Sequence, residues 1–195
     1  MALRCFIAIE FSDEIRKSIW QATAPMRAVE ADVKWVEESN YHLTLKFLGS
    51  VDEELIPRIK ATLEEIATKH TAFEITIRGA GVFPDARRPR VVWVGIESAQ
   101  GLGLIARDIE AGMIQYGFAP EDRSFSPHLT VGRVKSLRGS GDVMRALHAL
   151  GQVSFGVQAV RSIAIMKSDL TPHGPIYGRL HEIILPLNNS VSFSK

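Results

Sequence analysis

Two stretches of the 195-residue chain carry one four-residue unit, His42-Leu43-Thr44-Leu45 and His128-Leu129-Thr130-Val131. Apolar and polar residues alternate through both, which is the period of a half-buried strand, so each histidine shares a face with the threonine two residues on. Six histidines and eight threonines in 195 positions predict about 0.25 His-x-Thr triplets by random placement, before any apolar flank is required. Two elaborated copies therefore have a cause. A pair of imidazoles across a cleft can act as general base and general acid at once, because an unperturbed pKa of about 6.5 keeps both protonation states accessible at neutral pH. Phosphodiester hydrolysis is among the reactions that need such a pair. The neighbouring hydroxyls can donate hydrogen bonds to the non-bridging oxygens of a phosphate and stabilise the charge that builds in the transition state. Nothing in this scheme calls for a metal or another cofactor.

Composition bounds the setting. A hydrophobic share of 46% and a charged share of 23% are those of a globular protein with a sizeable core, and a formal net charge of +1 implies no polyanion binding over the whole surface. The single Cys5 excludes an internal disulfide and a cysteine-based zinc cluster. The apolar run Phe6-Ile7-Ala8-Ile9 is stopped by Glu10, too soon for a signal peptide or a membrane span, so a cytoplasmic location is expected.

The elements that must position the two units read in order. Residues 3–10 form a strand, and Ser12 caps a helix with Ile15, Ile19, Ala22 and Met26 on one face, ended or bent by Pro25. A short strand over Val33–Val36 precedes the first His-x-Thr strand, and a helix opened by Asp52 follows, with Pro57 in its first turn and Ile56, Ile59, Leu63 and Ile66 inward. Phe73 to Arg78 is a strand. A basic loop, Phe83 to Arg90, leads to a strand over Val91–Glu97, a cap at Ser98, and a helix with Leu102, Ile105, Ile109 and Met113 on its apolar stripe. After the second His-x-Thr strand come a short helix with Val143, Leu147 and Leu150 inward and strands near 153–157, 160–166 and 180–187.

The order strand, helix, His-x-Thr strand, helix, strand occurs twice, at offsets of 87 residues (Ile9 to Ile96) and 86 (His42 to His128). That spacing suggests one bilobal domain over residues 1–195 with an internal repeat of about 1–85 and 86–195, its two lobes related by an approximate twofold that aims both units at one cleft. Mixed strands and helices without a glycine-rich phosphate fingerprint argue for an α+β fold.

His42-Leu-Thr-Leu-Lys-Phe-Leu-Gly and Pro127-His128-Leu-Thr-Val-Gly-Arg133 resemble the paired signature of the two-histidine phosphoesterase superfamily, and more narrowly that of the RNA 2′,3′-cyclic phosphodiesterases, also called 2′-5′ RNA ligases. The likeness extends to Arg4-Cys-Phe-Ile-Ala-Ile, to Phe83-Pro84 with Arg88-Pro89-Arg90-Val, and to Ser168-Asp-Leu-Thr-Pro-His-Gly-Pro175-Ile-Tyr177. It implies two pseudo-twofold-related lobes of antiparallel sheet with outer helices around a central cleft. It implies that a 2′,3′-cyclic phosphate at an RNA end is hydrolysed there to a 2′-phosphate, and it leaves open whether that RNA is a tRNA fragment, an oligonucleotide or a small cyclic nucleotide. It implies His42 as proton donor, His128 as proton acceptor, and Thr44, Thr130 and Arg133 as phosphate ligands. Two other readings stand beside it. One is 2′-5′ ligation, the reverse reaction, and the other an RNA-end binding module without turnover, against which the two imidazoles argue because simple phosphate binding favours Arg or Lys. A metal site is disfavoured, since carboxylates do not cluster near either motif and the threonines would have no role. No membrane or protein partner is implied.

Supporting residues divide less sharply. Lys46 has the strand parity of His42 and is a candidate for the cleft as well as for solvent. Arg133 has the wrong parity to share the face of His128 unless Gly132 marks a bulge that re-aims it. Arg87, Arg88 and Arg90 can line an RNA path or merely solvate a loop, while Phe47 and Trp93 are expected in the core. His70, His148, His173 and His181 lack a threonine partner and are expected to be structural or at the surface, with His173 in a Pro-His-Gly-Pro loop that can border the cleft.

Overall fold

The computed structural model describes residues 1–97, 100–122, 124–172 and 174–187. Among the described residues nine strands form two antiparallel sheets. The first has the order β3-β1-β8-β9, from β1 (Ala2–Glu10), β3 (His42–Asp52), β8 (Ser162–Thr171) and β9 (Gly174–Ile184). The second has the order β2-β6-β5-β4-β7, from β2 (Val33–Trp35), β4 (Phe73–Phe83), β5 (Val91–Glu97), β6 (His128–Val134) and β7 (Ser154–Val160). The fold is thus the expected bilobal α+β arrangement, but each sheet draws strands from both halves of the sequence.

Local sequence accounts for the helices. In α1 (Asp13–Ala22) the Ser12 hydroxyl accepts the Ile15 N–H at 3.4 Å, and the helix stops at Thr23 before Pro25, which instead opens the single turn α2 (Ala24–Arg27). Asp52 does not cap a helix by its side chain; it ends β3, a 3₁₀ turn over Glu53–Leu55 follows, and α3 (Ile56–Ala67) starts with Pro57 in its first turn. The stripe of α4 (Gln100–Ile114) is fully inward, Leu102, Ile105, Ile109 and Met113 all having 0% exposure, so each contributes about 1.5–3 kcal/mol by burial. In α5 (Ser140–His148) Val143 and Leu147 are buried. Ser98, expected as a cap, lies outside the described residues.

One core cluster joins both sheets and the helices, from Ile7 and Leu43 to Val94 and Leu129. The other face of the first sheet carries a separate small cluster, Phe6, Ala8, Ala164 and Met166 with Tyr177 against it. That face bears His42.

Candidate active site

Strand register decides which side chains reach the cleft. Glu10 pairs with His42 and Ala8 with Thr44, but Ile7 pairs with Lys46, so Leu45 is an extra residue and β3 bulges there. Past the bulge the faces exchange. This corrects the placement of Lys46 expected from parity: its side chain turns into the protein, only 1% exposed, where Nζ donates to Glu110 Oε2 at 2.7 Å and to the Ala119 carbonyl at 3.0 Å. Glu110 Oε2 also accepts the Glu121 N–H at 3.4 Å. Phe47, expected in the core, is 59% exposed on the face of His42, abreast of Phe6.

The second unit repeats the device. Gly95 pairs with His128, Trp93 with Thr130 and Val92 with Gly132, so Val131 is the extra residue and Arg133 emerges, exposed, on the face of His128. A Cβ on Gly132 would lie 2.8 Å from the Trp35 ring, so the residue that turns inward at this bulge must be glycine, where β3 has Lys46. Arg133 reaches across to the first sheet, where its positive charge acts on both His42 and Tyr177. The structure therefore brings His42 and Arg133 together from different sheets, with Thr44 and Thr130 half-buried on the same faces as their histidines.

Both imidazoles are held alike. Nδ1 of His42 lies 2.8 Å from the Asn40 carbonyl oxygen, and Nδ1 of His128 lies 2.7 Å from that of Ser126. A carbonyl only accepts, so Nδ1 carries the proton in each ring and Nε2 is left as the working nitrogen. Each ring also meets an aromatic edge to face, His42 with Tyr177 at 5.0 Å between centroids and His128 with Phe83 at 5.0 Å. Phe6 packs on His42 at 4.8 Å. Burial pushes the His42 pKa down; the bond to Asn40 opposes this and the Arg133 charge adds to it.

Phe6, Phe83 and Tyr177 were not identifiable as site residues by spacing, although all three lie in stretches that carry the family likeness. Trp93 is half-buried on the face of His128, its ring spread over Gly81, where a Cβ would come within 2.3 Å of it. Arg87, Arg88 and Arg90 are exposed, and the loop that holds them follows Phe83 and is fixed by Asp85 Oδ1 accepting the N–H groups of Arg87 and Arg88 at 2.8 and 3.1 Å. His70 is structural, its Nε2 2.9 Å from Asp108 Oδ2, and His148 is exposed. His173 lies outside the described residues. Among the described residues no group of three or more His, Cys, Asp and Glu side chains is placed to hold a metal, and no helix is long and apolar enough to cross a membrane. A groove of about 420 Å³ along α1, lined by Asp13, Arg16, Trp20 and Glu37, contains none of the motif residues.

The chain is similar to known proteins in sequence and in fold. The model of the family described as LigT like Phosphoesterase matches twice, over residues 9–93 and 94–177. An RNA 2′,3′-cyclic phosphodiesterase of Methanothermobacter thermautotrophicus is 38% identical over 91% of this chain and 96% of its own length, and one of Aeropyrum pernix is 38% identical over 87% and 92%. Among solved structures, a Thermus thermophilus protein superposes with a TM-score of 0.81 at 29% identity, covering 96% of this chain and all of that one. The structure of Escherichia coli LigT complexed with 3′-AMP superposes with a TM-score of 0.73 at 27% identity, covering 95% and 99%. With both His-x-Thr units on paired bulged strands and the family matched across both halves, the chain belongs to the LigT-like phosphoesterases.

Proposed function

We propose that this protein hydrolyses the 2′,3′-cyclic phosphate at an RNA end to a 2′-phosphate, in the cytoplasm and without a metal, with His42 as proton donor and His128 as proton acceptor. The observation that carries the reading is the matched pair of imidazoles, each tied through Nδ1 to the carbonyl two residues back, which leaves Nε2 as the working nitrogen. A water oxygen bonds to phosphorus while the bond from phosphorus to O3′ breaks. The water's proton passes to His128 Nε2, and O3′ takes one from His42 Nε2, each transfer being worth roughly 10²- to 10⁴-fold. Thr44 and Thr130 donate to the non-bridging oxygens, and Arg133 pairs with the charge they gather. Phe47 offers its exposed ring to the terminal base. The substrate class is supported by the name shared by the relatives and by the 3′-AMP complex of the Escherichia coli neighbour.

Burial and the Arg133 charge hold the His42 pKa down, which by itself favours the reverse assignment, His42 as base and His128 as acid. Substrate changes the balance: a phosphodiester anion neutralises Arg133 and attracts the imidazolium, so the acid form of His42 is populated when it is needed. The test is hydrolysis, with EDTA present, of an RNA ending in a 2′,3′-cyclic phosphate, followed by identification of the product as the 2′- or 3′-phosphate. A substrate with sulfur at the 3′ position needs little protonation to leave, so it restores turnover to His42→Ala and leaves His128→Ala inactive. Rescue of His128→Ala alone reverses the roles; no hydrolysis by the wild type, or hydrolysis abolished by EDTA, ends the proposal.

A further inference from the structure

The opening Arg4-Cys-Phe-Ile-Ala-Ile carries part of the family likeness, yet the scheme above gives Arg4 no task. The register of β1 gives it one. Glu10, Ala8, Phe6 and Arg4 alternate along a single face and stand abreast of His42, Thr44, Phe47 and Ser50 of β3 respectively. Arg4 is thus the next residue on that face beyond the Phe6–Phe47 row, about 7 Å from that row and about 20 Å along the strand from the row of His42. It is exposed, and among the described residues no carboxylate pairs with it. Its positive charge, like that of Arg133, acts on the hydroxyl of Tyr177, whose ring stands edge-on to His42 at 5.0 Å. An exposed guanidinium at the edge of the Phe6–Tyr177 cluster, with no carboxylate partner among the described residues, can take an anion supplied by the substrate without first breaking an ion pair.

We infer that Arg4 binds the phosphodiester on the 5′ side of the terminal nucleotide, making this cleft selective for RNA chains over mononucleotides. The terminal base lies against Phe47, the cyclic phosphate sits between the two histidine units, and the preceding linkage falls beside Arg4, where the planar guanidinium can take two of its oxygens. The inference rests on the proposed cyclic phosphate chemistry, and the substrates separate the two. Hydrolysis of a nucleoside 2′,3′-cyclic phosphate by the wild type tests the chemistry alone, because that substrate has no preceding linkage.

The experiment compares three substrates: the cyclic mononucleotide, a dinucleotide ending in the cyclic phosphate, and the same dinucleotide with an uncharged methylphosphonate linkage. Arg4→Gln should lower kcat/KM for the charged dinucleotide roughly 10- to 100-fold, mainly through KM, as expected for one charge-assisted contact. On the mononucleotide it should act within about twofold of wild type, and Arg4→Lys should retain part of the dinucleotide preference. The salt dependence of dinucleotide binding should become shallower by about 0.7 in log–log slope. In wild type the methylphosphonate should cause the same loss as Arg4→Gln, and in the variant it should cause no further loss. This substrate arm stands even if the variant folds poorly. Equal losses on mononucleotide and dinucleotide, no loss on either, or a wild type indifferent to the methylphosphonate would each overturn the assignment.

Discussion

Replacing Lys46 by methionine tests the buried brace behind the first bulge. The ammonium is 1% exposed and bridges the Glu110 carboxylate at 2.7 Å and the Ala119 carbonyl at 3.0 Å, so it ties the strand of His42 to the segment that runs up to His128. Methionine keeps most of the stem and removes the charge. It leaves Glu110 with only the 3.4 Å bond from the Glu121 N–H, and Ala119 O without this donor. Breaking a fully buried pair in this way costs about 3–5 kcal/mol. Glu110 is 26% exposed, so water restores part of its solvation and about 2–3 kcal/mol remains. In a chain of this size that lowers Tm by about 4–12 °C. Lys46→Met/Glu110→Met removes the orphaned charge as well, and should recover all but about 1 kcal/mol. Urea denaturation of the single and double variants, with m-values compared, measures the cycle. A Lys46→Met midpoint equal to wild type, or a double variant no more stable than the single one, would refute the buried brace.

Arg133→Gln should lower kcat/KM about 10²- to 10³-fold and also change its pH profile. Because the Arg133 charge pushes the His42 pKa down, removing it moves the limb due to His42 to higher pH; that is the alkaline limb if His42 is the acid and the acidic limb if it is the base, and a downward move or none would separate the two side chains. Thr44→Ala and Thr130→Ala should each cost about 10²- to 10³-fold in kcat with folding unchanged by circular dichroism, whereas full turnover in the double variant would remove both hydroxyls from the mechanism. Gly81→Ala should displace the Trp93 ring, destabilise the protein by about 1–3 kcal/mol and alter tryptophan fluorescence, an unchanged spectrum being the result that contradicts the packing.

Apolar periodicity revealed the helices and the strand character of both His-x-Thr units, because those signals are local. The bulges were unevenly legible. Gly132 flags the second one and explains how Arg133 regains the face of His128, but the first falls at Leu45-Lys46, two residues that extend an ordinary alternation without interruption. Its origin is the register with β1 and the half-buried Glu110 partner, both distant in sequence, so parity placed Lys46 and Phe47 on the wrong sides. Tyr177 reaches His42 only because β9 joins the sheet of β1 and β3 through β8, and no local pattern encodes that adjacency.

The interleaving of the two sheets also sets a schedule for synthesis. β1 is paired on one side by β3 and on the other by β8, and the chain between the end of β3 at Asp52 and the start of β8 at Ser162 must be made before that second side closes. At about 5–20 residues per second the gap lasts roughly 5–20 s, during which the sheet beneath His42 has an open edge and the ring of Tyr177 does not yet exist. The face that bears His42 is therefore completed only when the last hairpin, β8 with β9, docks on β1.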